Sequence, residues 1–147
     1  MVDRNQVIQT AATYWTGKES PALLSRLTYQ AGDLLESVPT AKNDKDIYLL
    51  SAVLHGMDDE NCVKVLRNLT TASAGTCARI ALMELVVSET KADFSSAAFD
   101  MQMFMATQGR ERTLLEWQNL FDQSGLALEE EVGLKSIGKI LVLKPKD

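Results

Sequence analysis

Residues 46–69, DIYLLSAVLHGMDDENCVKVLRNL, decide the fold of this chain because the hydrophobic pattern changes its period within them. The first half, residues 47–54, is an almost unbroken apolar run, which predicts a buried strand of a parallel sheet. After Gly56, the three acidic residues 58–60 form a first turn that complements a helix dipole. Apolar residues then recur at helical spacing on one face: Cys62, Val65, Leu66 and Leu69. The stretch therefore predicts a strand followed by a helix.

The only histidine of the chain, His55, falls between the predicted strand and the predicted helix. A strand that ends at His55 places the imidazole at the carboxyl edge of the sheet, where open α/β folds bind their ligands. A histidine can be neutral near pH 7 and accept a proton. The alternative is a hydrogen-bonded histidine without a chemical role, and the residues taken alone favour that alternative.

The composition is that of one soluble globular domain. The 147 residues are 46% hydrophobic and 24% charged, with a formal net charge of -5 and no basic stripe, so a nucleic-acid partner is not expected. Residues 1–10 lack the features of a signal peptide, and no stretch has the apolar length of a membrane span. A cytoplasmic protein without a membrane partner is therefore expected. Cys62 and Cys77 show no metal spacing and are expected to be reduced and at least half-buried, and no metal site is predicted.

The other helices and strands are predicted from the period of the apolar residues and from the residues that begin or end a helix. Residues 5–15 form an amphipathic pattern that Gly17 ends, and Ser20-Pro21 begins a second short helix over residues 21–26. Residues 76–87 repeat the buried-strand pattern. Residues 93–108 predict a helix with these residues on its apolar side: Phe94, Ala97, Ala98, Met101, Phe104 and Met105. A capping box at Thr113 and Glu116 opens a helix closed by Gly125, and two antiparallel strands follow at 126–132 and 139–144, around Gly133–Gly138.

The run LHGMDDENCVKVLRNL, residues 54–69, resembles the LHDW(S/D)DE segment of the S-adenosylmethionine-dependent small-molecule O-methyltransferases. This family includes plant phenolic and bacterial polyketide methyltransferases. The resemblance implies that His55 is the general base that takes the proton from the substrate hydroxyl. The sequence departs from the pattern at Gly56-Met57, where the family has Asp-Trp.

Two carboxylates match the family pattern around this histidine. Glu84 lies in the apolar run LMELVV, where a lone carboxylate is costly to bury unless it is paired. Glu111 lies in TQGRERT, which resembles the family motif GG(K/R)ERT. The resemblance implies that both flank the catalytic histidine and fix its ring and tautomer. The alternative is that Glu84 ends its strand in solvent and that RERT is a solvated helix start.

The resemblance also implies where the cofactor and the acceptor bind. Asp33 and its neighbour Leu34 stand where the family holds the adenosine part of S-adenosylmethionine, and Ser51 stands where many plant members have a cofactor-contacting lysine. The acceptor implied is a small hydroxylated molecule, expected to be aromatic. The methionines that resemble the substrate-facing helix are Met101, Met103 and Met105, although a methionine stripe at helical spacing is also ordinary core.

One part of the family pattern is absent from the sequence. Between Trp15 and Leu27, a complete member carries the glycine-rich turn that seats the methionine end of the cofactor, whereas the eight glycines here are scattered singly. The isolated chain is therefore expected to bind S-adenosylmethionine weakly or not at all. Three functions stay open: an O-methyltransferase, a non-catalytic relative that oligomerises, and one half of a split enzyme.

The order of the predicted elements indicates an α/β fold. The resemblance implies that it is the carboxyl half of a Rossmann-like methyltransferase sheet, of four to five strands with flanking helices and a short N-terminal helix. Residues 1–26 are expected to be a helical remnant of the dimerisation region, and residues 27–147 a truncated methyltransferase domain. Without the first half of the sheet, the strand at 47–54 has an uncovered edge. This edge predicts a homodimer, unless residues 27–31 cover it.

Overall fold

A computed structural model of the chain describes residues 1–91, 93–135 and 137–146. By its contacts the chain divides into two compact units, Met1–Pro39 and Thr40–Asp147. The first unit contains β1 (Val2–Asp3), α1 (Asn5–Thr16), α2 (Pro21–Leu24) and β2 (Gln30–Ala31), in which β1 and β2 pair in parallel. No helix within the described ranges is long and apolar enough to cross a membrane.

Both predicted helices of the first unit are confirmed. Helix α1 ends at Thr16 with Gly17 as its C-cap, and α2 begins at Pro21, where the Ser20 side chain accepts a hydrogen bond from the Leu23 N–H. Helix α1 buries none of its residues, and its large apolar side chains Val7, Tyr14 and Trp15 are exposed. This face therefore contributes little hydrophobic stabilisation within a single copy of the chain.

The second unit holds a mixed five-stranded sheet, which confirms the predicted α/β class. Its elements are β3 (Ile47–Ser51), a 3-10 turn (Leu54–Gly56), α3 (Asp59–Ala72), β4 (Arg79–Val87), α4 (Phe94–Ala106), β5 (Arg112–Thr113), α5 (Leu114–Gln123), β6 (Leu126–Gly133) and β7 (Gly138–Pro145). The strand order is β3-β4-β7-β6, and β5 also pairs with β4. Strands β3 and β5 run parallel to β4, whereas β7 runs antiparallel to both β4 and β6.

Strand β3 is shorter and more exposed than the sequence predicts. The strand ends at Ser51 because Ala52 has a φ of 52°, in the left-handed region that L-residues with a side chain rarely adopt. The prediction that the strand reaches His55 is therefore wrong, since His55 lies on the 3-10 turn, named the histidine turn below. Burial on both faces is also wrong: Ile47 is 66% exposed and Leu49 63%, because these alternate residues share one face of the strand, whereas Leu50 on the opposite face is buried.

Helix α3 follows the histidine turn as predicted. The Asp58 side chain caps it by accepting from the Asn61 N–H, and Asp59 and Glu60 occupy its first turn. Its apolar face enters the core, where its buried residues are Cys62, Val63, Val65, Leu66, Leu69 and Ala72. Both cysteines are free; Cys62 is buried, but Cys77 is exposed, which corrects its predicted burial, because it lies in the loop before β4.

Helix α4 carries its apolar residues on one side, as predicted, but that side is not buried in the core. Its apolar side is exposed, with Phe94 at 89%, Phe104 at 77% and Met105 at 79%, whereas Ser96 and Met103 are the residues it buries. The described part of the chain thus leaves an uncovered apolar surface on this helix.

The last three elements match their predictions. Thr113 and Glu116 form the capping box that opens α5, and Gly125, with a φ of 72°, follows the C-cap. Strands β6 and β7 pair antiparallel, as predicted. Ser136, in the predicted turn between them, lies outside the described residues. Trp117 and Phe121 on α5 are buried with their rings stacked 6.0 Å apart.

Candidate active site

The histidine turn and Glu84 meet at one edge of the sheet because β3 and β4 are parallel. In the register of these strands, Ser51 lies opposite Met83, and Glu84 is the next residue of β4. The Ala52 N–H continues the ladder by donating to the Met83 carbonyl at 2.9 Å. The chain then leaves the sheet and enters the histidine turn above the carboxyl ends of both strands, where α/β folds place their ligands.

Glu84 contacts the backbone at the start of the histidine turn. Its side chain is buried, and Oε1 accepts hydrogen bonds from the backbone N–H groups of Val53 at 3.1 Å and Leu54 at 3.0 Å. These two amides would otherwise be left without partners in the first turn of a helix-like segment. Glu84 therefore acts on His55 through the backbone that precedes the imidazole.

Burial raises the pKa of Glu84 above its ordinary value. The N–H groups of Leu54 and Val53 and the nearby His55 oppose this rise, whereas the neighbouring carboxylate Glu111 adds to it. The second oxygen of Glu84, Oε2, is buried and has no hydrogen-bond partner among the described residues. The environment thus favours a proton on Glu84 at pH values where an exposed glutamate is already ionised.

Glu111 contacts the imidazole directly. Its Oε1 lies 3.0 Å from His55 Nδ1, and its side chain is only 1% exposed, against 20% for the histidine. An ionised carboxylate can only accept a hydrogen bond, so this contact suits the tautomer of a neutral imidazole that carries its hydrogen on Nδ1 and its lone pair on Nε2. The Glu111 N–H donates to Asp100 Oδ1 at 2.9 Å, which ties this segment to α4. Glu111 Oε2 is also buried without a partner in the described structure.

Two residues missed by the sequence analysis shape the histidine turn. Arg112 is fully buried, and its guanidinium donates to backbone carbonyls on both sides of His55. Gly109 packs so closely that a Cβ there would lie 1.9 Å from the His55 carbonyl oxygen. Both residues lie in TQGRERT, the segment that resembles the family motif GG(K/R)ERT, and that motif was the available signal for them.

A cavity of about 230 Å³ lies beside these groups. Its polar lining is formed by His55 with Glu84 and Glu111, and by Ser51 at the end of β3. The other residues that line it are Ala52, Met83, Leu85, Phe99, Leu134, Ile137 and Gly138. An apolar wall with a few convergent polar groups is the usual form of a small-molecule site.

The remaining predicted site residues belong to the first unit and to α4. Asp33 and Leu34 belong to the first unit, where Asp33 Oδ1 accepts from the Leu35 N–H at 2.8 Å. Of the three α4 methionines, Met103 is buried, Met101 and Met105 are exposed, and the cavity takes Phe99 from this helix. Within the described ranges, no group of three or more histidine, cysteine or carboxylate side chains could hold a metal ion.

A second, larger groove of about 610 Å³ has a different character. It lies along α3 and is lined by Asp59, Glu60, Val63, Lys64, Arg67, Asn68 and Gln123. The guanidinium of Arg67 already donates two hydrogen bonds to the Gln123 carbonyl, at 3.0 and 3.2 Å. No imidazole lines this groove, whereas His55 lines the smaller cavity.

The sequence is similar to known methyltransferases over most of its length. A family model described as an O-methyltransferase domain matches residues 1–127. The chain is 34% identical over 119 residues to columbamine O-methyltransferase of Coptis japonica, covering 80% of this chain and 33% of that protein. It is 32% identical over 117 residues to phenazine-1-carboxylate N-methyltransferase of Pseudomonas aeruginosa, covering 80% of this chain and 34% of the relative. The chain therefore spans about a third of these curated relatives.

Solved structures share the fold. The mitomycin 7-O-methyltransferase structure superposes with a TM-score of 0.86 at 26% identity, covering 98% of this chain and 40% of that one. A calicheamicin biosynthesis methyltransferase, solved in its SAH-bound form, superposes with a TM-score of 0.79 at 30% identity, with coverages of 98% and 40%. More than half of each of these chains has no counterpart here.

Proposed function

Because this chain belongs to the O-methyltransferase domain family, we propose that it takes part in S-adenosylmethionine-dependent methylation of a small hydroxylated, aromatic acceptor. The observation that carries the proposal is the 3.0 Å contact of His55 Nδ1 with the buried Glu111, beside an apolar-walled cavity. A cytoplasmic location belongs to the same proposal, since both cysteines are free.

His55 is the base of the proposed reaction, and Glu84 and Glu111 position it. When the acceptor O–H bond breaks, its proton goes to His55 Nε2 and its electron pair stays on the acceptor oxygen. The Glu111 carboxylate fixes the opposite nitrogen as a donor and stabilises the imidazolium that results. Glu84 keeps the backbone ahead of His55 in place.

S-adenosylmethionine, if bound, would supply an electrophilic methyl group on a sulfonium sulfur. By resemblance Asp33 and Leu34 would hold it, with Ser51. The cavity beside Ser51 is about 230 Å³, below the range of roughly 300–1,000 Å³ common for ligand pockets. It does not fit the cofactor together with an acceptor. The sequence holds no glycine-rich turn, so the described residues form only part of a cofactor site.

Two alternatives follow from this incomplete site. The chain is half of a split enzyme, completed by a second chain that carries the glycine-rich turn, or it is a non-catalytic relative. The first alternative is favoured by β3, whose only described partner strand is β4 and whose residues Ile47 and Leu49 are more than 60% exposed. An open parallel edge of this kind can pair with a strand of another chain.

A homodimer is part of the proposal. The described partner strand of β3 is β4, and we propose that the other edge of β3 pairs with a second copy of the chain. The exposed apolar face of α1 offers a second self-complementary surface.

Methyl transfer in a reconstituted mixture tests the proposed role of His55. The chain is mixed with a second chain that carries the glycine-rich half of a relative, and transfer of labelled methyl to a panel of phenols is measured. Replacing His55 with Ala is expected to lower turnover about 10²–10⁴-fold, because a general base contributes a factor of that size. Cofactor affinity is expected to stay nearly unchanged. Full turnover by the His55→Ala mixture would refute the role of His55, and failure of the wild-type mixture would favour the non-catalytic alternative.

A further inference from the structure

The guanidinium of Arg112 lies fully buried against the histidine turn, and its five N–H donors meet five hydrogen bonds. Nη1 donates to the Leu54 carbonyl at 3.3 Å and Nη2 to the Met57 carbonyl at 2.8 Å. Leu54 precedes His55 by one residue, and Met57 follows it by two. One planar group therefore holds the backbone on both sides of the histidine.

The other donors fix the guanidinium to rigid parts of the fold. Nε and Nη2 both donate to Asp59 Oδ1, at 2.9 and 2.8 Å, and Nη1 also donates to the Arg110 carbonyl. Burial acts to raise the pKa of Asp59, but hydrogen bonds from Arg112 and Arg110 outweigh it and lower that pKa. Asp59 is therefore ionised at neutral pH and compensates the buried cation. The Trp117 ring, 5.1 Å from the guanidinium carbon, packs against it.

Arg112 directly follows Glu111, so two consecutive residues contact the imidazole ring of the histidine and the backbone that carries it. Glu111 Oε1 contacts the ring at Nδ1, and Arg112 holds the carbonyls of the turn that carries the ring. The turn has few hydrogen bonds of its own, namely Gly56 N–H to Val53 O at 3.3 Å and Met57 N–H to Leu54 O at 3.1 Å. Its geometry therefore depends on groups outside it.

We propose that Arg112 is a positioning residue for His55, which orients the histidine turn so that Nδ1 meets Glu111. Losing it changes the tautomer of the imidazole, because that tautomer is set by the hydrogen bond that Nδ1 makes. The inference rests on the proposed function only in naming His55 as the base. The positioning itself is measurable in the chain without cofactor or acceptor.

The test uses the single histidine of the chain, whose imidazole ¹⁵N resonances need no assignment. They are recorded for the wild type, Arg112→Lys, Arg112→Met and the control Arg110→Lys. Arg110 also bonds Asp59, through its Nη2 at 2.9 Å, and it is half-exposed. The control therefore makes the same guanidinium-to-ammonium change beside the same carboxylate but keeps the bonds of Arg112 to the turn.

The wild type and Arg110→Lys are expected to show the imidazole hydrogen on Nδ1. In both Arg112 variants the tautomer population is expected to shift towards the form with the hydrogen on Nε2. A lysine ammonium is a single donor centre and cannot reproduce a planar fork that spans several acceptors. Hydrogen exchange of the Met57 amide is expected to rise on the order of tenfold or more in Arg112→Lys, because bonds from a charged donor to the turn are lost.

An unchanged tautomer and unchanged Met57 exchange in a folded Arg112→Lys chain would overturn the inference, as would equal changes in Arg110→Lys. Arg112→Lys keeps the charge beside Asp59, so it carries the test if Arg112→Met does not fold by circular dichroism. Failure of methyl transfer in the reconstituted mixture would not affect these measurements, which separates the two proposals.

Discussion

The charged side chains around His55 differ in how many of their polar atoms are hydrogen-bonded. Arg112 uses all its donors, whereas Glu84 and Glu111 each keep one buried oxygen without a partner in the described structure. A buried polar atom without a partner is costly and is retained mainly where it serves a function. The two oxygens lie on residues that line the cavity, so an acceptor hydroxyl or a water molecule is a suitable partner for them.

The pH dependence of stability is expected to differ between the wild type and Glu84→Gln. Burial raises the pKa of Glu84, so the folded chain binds this proton more tightly than the unfolded chain does. The contribution of Glu84 is fully present below its ordinary pKa of 4.5 and is lost as the pH rises through the raised value. Glutamine keeps an oxygen for the Val53 and Leu54 amides and does not titrate.

Thermal unfolding between pH 4 and pH 8 checks this expectation. The melting temperature of Glu84→Gln minus that of the wild type is expected to rise with pH. The other carboxylates are present in both chains and cancel in the difference. A difference that stays constant over this range would show that folding does not raise the pKa of Glu84.

The sequence indicated the side chains that could carry chemistry but not the residues that hold them in position. Resemblance pointed to His55 and Glu111, and the structure places them 3.0 Å apart. Arg112 and Gly109 lie in the same TQGRERT segment as Glu111, but their contacts with backbone atoms of the histidine turn cannot be read from residue types alone. The helices and strands, by contrast, were predicted from the period of the apolar residues and from the residues that cap the helices.

The histidine turn is an element that depends on close packing as well as hydrogen bonds. A Cβ at position 109 would lie 1.9 Å from the His55 carbonyl oxygen and 2.6 Å from the Gly56 carbonyl carbon. Both neighbours are backbone, which cannot move without shifting the imidazole. Only glycine permits this approach.

Gly109→Ala is therefore expected to lower the free energy of unfolding by about 2–3 kcal/mol, as overpacking against rigid neighbours does. Gly133→Ala is the matched control, because no atom lies within 4 Å of the Cβ position there. Urea unfolding of both variants measures the effect. Equal stability of the two variants would mean that the turn can move away from residue 109 at little cost.

Other elements show where period alone is insufficient. The 3.6-residue period correctly predicted helix α4 and its apolar side, yet Phe94 and Phe104 on that side are exposed. A period shows which residues share a face but not whether another element covers the face. The same applies to β3, where the apolar run gave the strand but not the exposure of the face that carries Ile47 and Leu49.

At the scale of the whole molecule, the exposed surfaces predict self-association. Leu49 on β3 is 63% exposed on an edge strand, and charge on such a strand discourages pairing. Leu49→Lys is expected to shift the chain from dimer to a 16.2 kDa monomer in sedimentation at micromolar concentration. The control Leu115→Lys, at 57% exposure on α5, is expected to remain dimeric. A wild-type chain that sediments as a monomer would contradict the dimer.

The central claim is that this chain holds the acid–base part of a methyltransferase site and lacks most of the cofactor part. The acid–base part is His55 with its two carboxylates, within a unit that spans residues 40–147. The cofactor part lacks a glycine-rich turn in the sequence. Backbone amides of such a turn cannot be replaced by side chains elsewhere.

Calorimetric titration of the isolated chain with S-adenosylmethionine and S-adenosylhomocysteine tests this claim most directly. We expect weak or undetectable binding by the chain alone, and binding that appears when a second chain with the glycine-rich half is added. A dissociation constant in the low micromolar range for the chain alone would contradict the account.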